Sequence, residues 1–111
     1  MSDCVFCRIA AGDIPATVVR RSADALAFRD LNPQAPVHVL VIPLGHVTNA
    51  AEADAATLGA VMALARDVAA DLGLVEPGYR LVTNIGADGG QSVGHLHVHL
   101  LGGRPMRWPP G

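Results

Sequence analysis

With 111 residues, half of them hydrophobic, 16% charged and a formal net charge of −2, the chain has the size and composition of one folded domain over residues 1–111, not of a disordered protein. Every basic residue is arginine and no run of like charge occurs, which argues against a nucleic-acid surface but leaves room for a small anion held by local donors. The N-terminus has neither the basic nor the apolar region of a signal peptide, and no apolar run nears the roughly 20 residues that span a bilayer, so a cytoplasmic protein without a membrane partner is expected.

In chain order, residues 3–11 read as a short helix, capped by Ser2 or Asp3 and stopped by Gly12. It carries Cys4-Val5-Phe6-Cys7, whose two sulfurs share one helical face. In a reducing compartment these are reduced thiols or metal ligands, and no strand precedes them as a thioredoxin-like redox pair requires. Residues 17–21 and 25–29 form two strands joined by a Ser22-Ala23-Asp24 turn. Asn32-Pro33-Gln34-Ala35-Pro36 is a loop, because each proline keeps the residue before it extended. Residues 37–42 make a third strand, closed by Pro43 and Gly45. His38 lies on it and reads as a satisfied structural histidine.

The long helix is expected over residues 55–72, with Asp54 as N-cap and Gly73 as the stop. Leu58, Val61, Met62, Ala65, Val68, Ala69 and Leu72 follow its period and form the core-facing stripe. Residues 79–85 are the fourth strand, 86–91 a glycine-rich loop and 92–101 the fifth strand. One long helix supplies too few crossovers for a parallel sheet, so the fold class is α+β: a five-stranded antiparallel sheet with one long and one short helix.

Three of the five histidines fall in His95-Leu96-His97-Val98-His99-Leu100-Leu101. Alternation of polar and apolar positions marks a half-buried strand and puts the imidazoles on one face. On a helix His97 would point about 200° away from His95. A metal site using two of the three, a catalytic or phosphate-binding triad, and incidental surface histidines are the available readings. Same-face neighbours on a strand lie about 6.6 Å apart and the outer pair about 13 Å. A Zn–N bond is only about 2 Å, so at least one imidazole is left for other chemistry. The preceding Gly86-Ala87-Asp88-Gly89-Gly90-Gln91-Ser92 is a long turn or an anion-binding nest, and it delivers Gln91 and Ser92 to the histidine face.

The histidine segment resembles the histidine triad (HIT) motif, His-φ-His-φ-His-φ-φ with φ apolar. Gly89-Gly90-Gln91-Ser92-Val93, Gly102-Gly103-Arg104-Pro105-Met106 and Trp108-Pro109-Pro110-Gly111 are similar to the nucleotide-binding Hint branch of that family. So are Phe28-Arg29-Asp30-Leu31-Asn32-Pro33-Gln34-Ala35-Pro36 and Val41-Ile42-Pro43 through His46. The resemblance implies a HIT-like fold, a homodimer with a continuous sheet, and hydrolysis or transfer at the α-phosphorus of a purine nucleoside phosphoramidate through a covalent nucleotidyl-histidine. By the same resemblance His97 is the nucleophile, His99 contacts phosphate oxygens, Ser92 helps protonate the leaving group, and Asn84 lies near the phosphate; Gln91, brought to the histidine face by the loop, is counted with the nucleotide-binding residues. Asp30 takes the ribose hydroxyls, while Phe6, Ile9, Phe28 and Leu31 form the base slot; ordinary core is the alternative, nearly as strong for Ile9 and Phe28.

A neutral imidazole suits the nucleophile's task near pH 7. No catalytic metal is implied. Relatives with a Cys-X-X-Cys pair imply a structural zinc on Cys4, Cys7, His46 and His95; the alternative is two buried thiols. The expected ligand is a purine nucleoside monophosphate or its phosphoramidate. The competing functions are a dinucleoside polyphosphate hydrolase using the same triad, and a nucleotide-binding scaffold with incidental catalysis.

Overall fold

The computed structural model describes residues 3–111. Its elements run α1 (Val5–Ala10), β1 (Val18–Arg21), β2 (Ala25–Arg29), β3 (Val37–Pro43), α2 (Ala55–Asp71), β4 (Arg80–Val82) and β5 (Val98–Gly102). The strands form one sheet in the order β1-β2-β3-β5-β4, and every pairing is antiparallel. This is the α+β, five-stranded arrangement expected. None of the helices among the described residues is long and apolar enough to cross a membrane.

Strand alternation splits the buried residues between the two faces of the sheet. Ala25 and Ala27 of β2, Val39 and Val41 of β3 and Leu96, Val98 and Leu100 join the inner face of α2 in one cluster. Leu26, Phe28, Leu40 and Ile42, the residues between them, pack with Phe6 of α1 in a second. Small side chains on β2 let α2 approach closely, whereas the larger ones face the short helix.

Helix α2 is closed at both ends by its own sequence. The Asp54 carboxylate accepts the Thr57 N–H at 2.7 Å. At the other end Gly73 adopts φ +73°, and its N–H and that of Leu74 donate to Ala70 and Ala69. That is the pair of bonds by which a left-handed glycine satisfies the last helical carbonyls. The buried stripe is Val61, Leu64, Ala65, Val68 and Ala69, with Leu58 and Leu72 partly buried against it. Met62, expected in the stripe, is 45% exposed; it lies about 100° around the helix from Val61.

Other expected boundaries also move. The cap of α1 is Cys4, whose sulfur accepts the Cys7 N–H at 3.4 Å. Asp3 is therefore not the cap, and Ser2 lies outside the described residues. The fourth strand ends at Val82, short of residue 85, because the Thr83 hydroxyl donates to the His97 carbonyl at 2.9 Å and the chain then turns away. The fifth begins at Val98, because residues 92–97 are held by bonds outside the ladder, among them Leu96 N–H to the Val47 carbonyl at 2.7 Å. The inward–outward alternation persists through this irregular stretch. His95 and His97 stand edge-on to Phe6, and His97 stands edge-on to His99 with ring centroids 5.0 Å apart.

Candidate active site

Two groups of side chains converge on the α1 face of the sheet. In the first, α1 and its N-cap supply Cys7 and Cys4, the turn after β3 supplies His46, and the approach to β5 supplies His95. Their ligand atoms all lie within 4.8 Å of one another. His46 Nδ1 and His95 Nδ1 are 3.2 Å apart, Cys7 Sγ lies 3.2 Å from His46 Nδ1, and both sulfurs lie 3.4 Å from His95 Nδ1. A tetrahedral ion with zinc's bond lengths separates two nitrogens by about 3.3 Å and a nitrogen from a sulfur by about 3.5 Å. The residues therefore fit such an ion. His95 is fully buried, and its Nε2–H donates to the Pro43 carbonyl at 3.1 Å. That bond leaves the Nδ1 lone pair aimed at the cluster, as a ligating histidine requires. Burial, then His46 and His97, push the His95 pKa down, which keeps that lone pair available.

The second group surrounds a pocket of about 290 Å³ between α1, the sheet and the residue 92–93 segment. Phe6, Ile9, Phe28 and Leu31 line its apolar side, and Asp30, Ser92, His97 and His99 its polar side. Eight of the ten residues expected to bind or transform substrate thus meet in one cavity. Asn84 and Gln91 are not among the lining residues. Gln91 instead clasps the glycine-rich loop: its Oε1 accepts the Gly86 N–H and an Asn49 amide N–H, and its Nε2 donates to the carbonyls of Thr48 and Val93.

Hydrogen bonds assign the tautomers of the pocket histidines. A carbonyl oxygen only accepts, so the 2.8 Å contact of His97 Nδ1 with the His95 carbonyl places a hydrogen on Nδ1. The neutral ring then carries its lone pair on Nε2. On β3, the Gln34 N–H donates to His38 Nδ1 at 3.0 Å, so the His38 hydrogen sits on Nε2. That hydrogen faces His99 Nδ1 at 2.9 Å and Asp30 Oδ2 at 3.4 Å. Accepting it makes His99 a donor through Nε2. His97 and His99 are therefore set up as a lone-pair nitrogen and an N–H donor on adjacent rings.

Burial is also the main cause that lowers the pKa of His38, with Asp30 opposing. It pushes His99 down to about 4, helped by His97 and His38 and opposed by Asp30. His99 is thus neutral throughout the physiological range. Asp30 itself is fixed by an Asx turn, its Oδ1 accepting the Asn32 N–H at 2.8 Å.

His38 is the residue that reading the sequence misses. It follows the same strand period as Leu40 and Ile42, which marks its face. Its partner His99 lies 61 positions away and is reached only through the β3–β5 register, which pairs Leu40 with His99.

Buried imidazoles with assigned tautomers beside a carboxylate and an apolar slot define a site for a small ligand with an anionic and an apolar end. Residues 11–106 match the HIT domain, and the chain belongs to the HIT family. It is 50% identical over 115 residues to a 14 kDa zinc-binding protein of Zea mays, covering 99% of this chain and 89% of that one. A HIT family hydrolase of Legionella pneumophila has 49% identity and a TM-score of 0.94, with 98% of this chain and 100% of that chain covered. A histidine triad nucleotide-binding protein of Candida albicans has 30% identity and a TM-score of 0.85, with 96% and 83% covered.

Proposed function

We propose that this protein is a Hint-type nucleotide hydrolase or transferase, cleaving the P–N bond of purine nucleoside phosphoramidates through a nucleotidyl-histidine. The observation that carries this reading is the 2.8 Å hydrogen bond from His97 Nδ1–H to the His95 carbonyl, which leaves Nε2 of this pocket-lining ring as the nitrogen able to attack. Nε2 attacks the α-phosphorus. The P–N bond breaks, its electron pair stays with the amine nitrogen, and that nitrogen takes a proton with the help of the Ser92 hydroxyl. Water then attacks the phosphorus, its oxygen forming the new P–O bond as the P–N bond to His97 breaks with its electron pair returning to Nε2; the proton the water gives up replaces the one delivered to the amine, and the nucleoside monophosphate leaves. His99 Nε2–H bonds a phosphate oxygen, so the charge that builds up there meets a prepositioned donor.

Asp30 accepts the ribose hydroxyls, and Phe6, Ile9, Phe28 and Leu31 hold the base. Asn84 is a further polar group on the phosphate side, and Gln91 serves by shaping the loop that presents Ser92. The pocket is near the lower end of the roughly 300–1,000 Å³ usual for ligand sites, which favours one nucleotide over a dinucleoside polyphosphate. Cys4, Cys7, His46 and His95 would hold a structural zinc, which would cross-link α1 to the triad segment. Names borne by relatives support these assignments: a zinc-binding protein, a hydrolase and a nucleotide-binding protein. A cytoplasmic homodimer completes the reading.

The test is to trap the intermediate. Brief reaction with an adenosine phosphoramidate, acid quench and peptide mass spectrometry should place the nucleotidyl group on His97. A label elsewhere, or turnover without any label, overturns the covalent route. Faster cleavage of diadenosine triphosphate than of the phosphoramidate would favour the polyphosphate hydrolase, and no turnover of either would favour the scaffold.

A further inference from the structure

We propose that His38 is a positioning residue that couples recognition of a ribose at Asp30 to the orientation of His99, so that the sugar is read in the rate of the chemical step. The inference rests on the nucleotide reading of the pocket. It follows from a count of hydrogens. His38 Nδ1 is occupied by the Gln34 N–H, so the buried neutral ring has one hydrogen, on Nε2. Two acceptors face that hydrogen, His99 Nδ1 at 2.9 Å and Asp30 Oδ2 at 3.4 Å. One hydrogen cannot make a straight bond to both, so an aspartate without ligand competes with His99 for it.

Asp30 Oδ1 accepts from Asn32, and Oδ2 is the oxygen toward His38, so a hydroxyl that donates to Oδ2 shares it with His38. A ribose hydroxyl donating to Oδ2 weakens the carboxylate's pull on His38. The His38 N–H then turns fully to His99 Nδ1, and His99 is held with its Nε2–H toward the phosphate. A sugar lacking the hydroxyls leaves the competition in place and His99 less well set. The ring that reports the sugar touches neither the sugar nor the phosphate, since His38 is not among the residues lining the pocket.

The prediction is a coupling between substrate and residue. With wild-type protein, replacing a ribonucleoside phosphoramidate by its 2′,3′-dideoxy analogue should lower kcat by about 10- to 100-fold, the range expected when a catalytic group is misplaced, in addition to raising KM. In His38→Leu, kcat for the ribo substrate should fall to the dideoxy level. The sugar should no longer affect kcat, while its effect on KM persists because Asp30 is intact. His38→Gln keeps an N–H for His99 and should recover part of the ribo kcat. An undiminished ribose effect on kcat in His38→Leu overturns the coupling.

Nitrogen-15 NMR of the His99 ring with bound AMP and with bound 2′,3′-dideoxy-AMP gives a second readout that needs neither a variant nor turnover. The Nδ1 resonance should move toward its hydrogen-bonded position with AMP only. Equal shifts with both ligands refute the proposal. Absence of any turnover in wild type strikes the phosphoramidase reading, leaving the resonance comparison to decide this one.

Discussion

His97 and His99 are two residues apart, and their hydrogen bonds leave Nε2 a lone pair on the first ring and an N–H on the second, the basis of the separate roles proposed for them. His97→Ala or His97→Asn should therefore remove turnover altogether while the protein melts cooperatively and still binds a nucleoside monophosphate; near-normal turnover by steady-state assay would contradict the assigned nucleophile. His99→Ala removes a donor, not the reaction path, and should be milder. Asp30→Ala should weaken nucleoside monophosphate binding by about 1.5–3 kcal/mol, the worth of hydrogen bonds to a charged acceptor. In calorimetry the mutant should lose almost nothing further when the ribose hydroxyls are deleted from the ligand.

The same burial sets a pH dependence. The folded pKa of His99 is about 4 against an ordinary 6.5, so between these values the unfolded chain binds a proton that the native protein refuses. The stabilisation is complete above pH 6.5 and is lost as pH falls through about 4. His38, lowered for the same reason, adds to the trend. NMR titration should find the His99 ring neutral until pH approaches about 4, and His99→Asn should flatten the acid limb of a urea-unfolding series.

Among the elements, α1 has only six residues, too short to be stable alone in water. It is retained by Phe6 in the smaller cluster and by Cys4 and Cys7 at the four-ligand group. Protein prepared without chelator should contain about one zinc per chain by elemental analysis. Chelation should lower the melting temperature, because an ion bound only by the folded site adds to folding free energy. Hydrolysis by the protein still folded should persist, since neither His97 nor His99 belongs to that four-ligand group. Asp54→Ala, which deletes the cap of α2, should lower the midpoint of denaturant unfolding.

What the sequence made legible at this scale follows from how local each signal is. The caps of α2 depend on neighbouring residues, and Asp54 and Gly73 are readable at sight. The histidine period is local too, and the three rings do share a face. The start of β5 is not local: residues 92–97 have a strand's alternation but are drawn out of the ladder by Val47, Thr83 and the Gln91 clasp. The same holds for His38, whose pairing with His99 depends on strand register, and for Met62, whose side of α2 is settled by the sheet beneath it.

For the molecule as a whole, β4 and β1 are the edges of the sheet. Pairing of such an edge with a second copy would give the continuous sheet proposed for the dimer, and sedimentation should return twice the 11.5 kDa chain mass. A monomer at micromolar concentration would exclude that assembly.

The two-faced sheet has a consequence for how this protein can be altered. Residues that hold the fold through α2 and residues that shape the pocket belong to different clusters on opposite sides. Val5 and Leu31 line the pocket but are 40% and 95% exposed, so replacing them removes little buried area. Ligand preference can therefore drift, or be redirected in a library varied at Val5, Ile9 and Leu31, while the α2 side remains a fixed chassis.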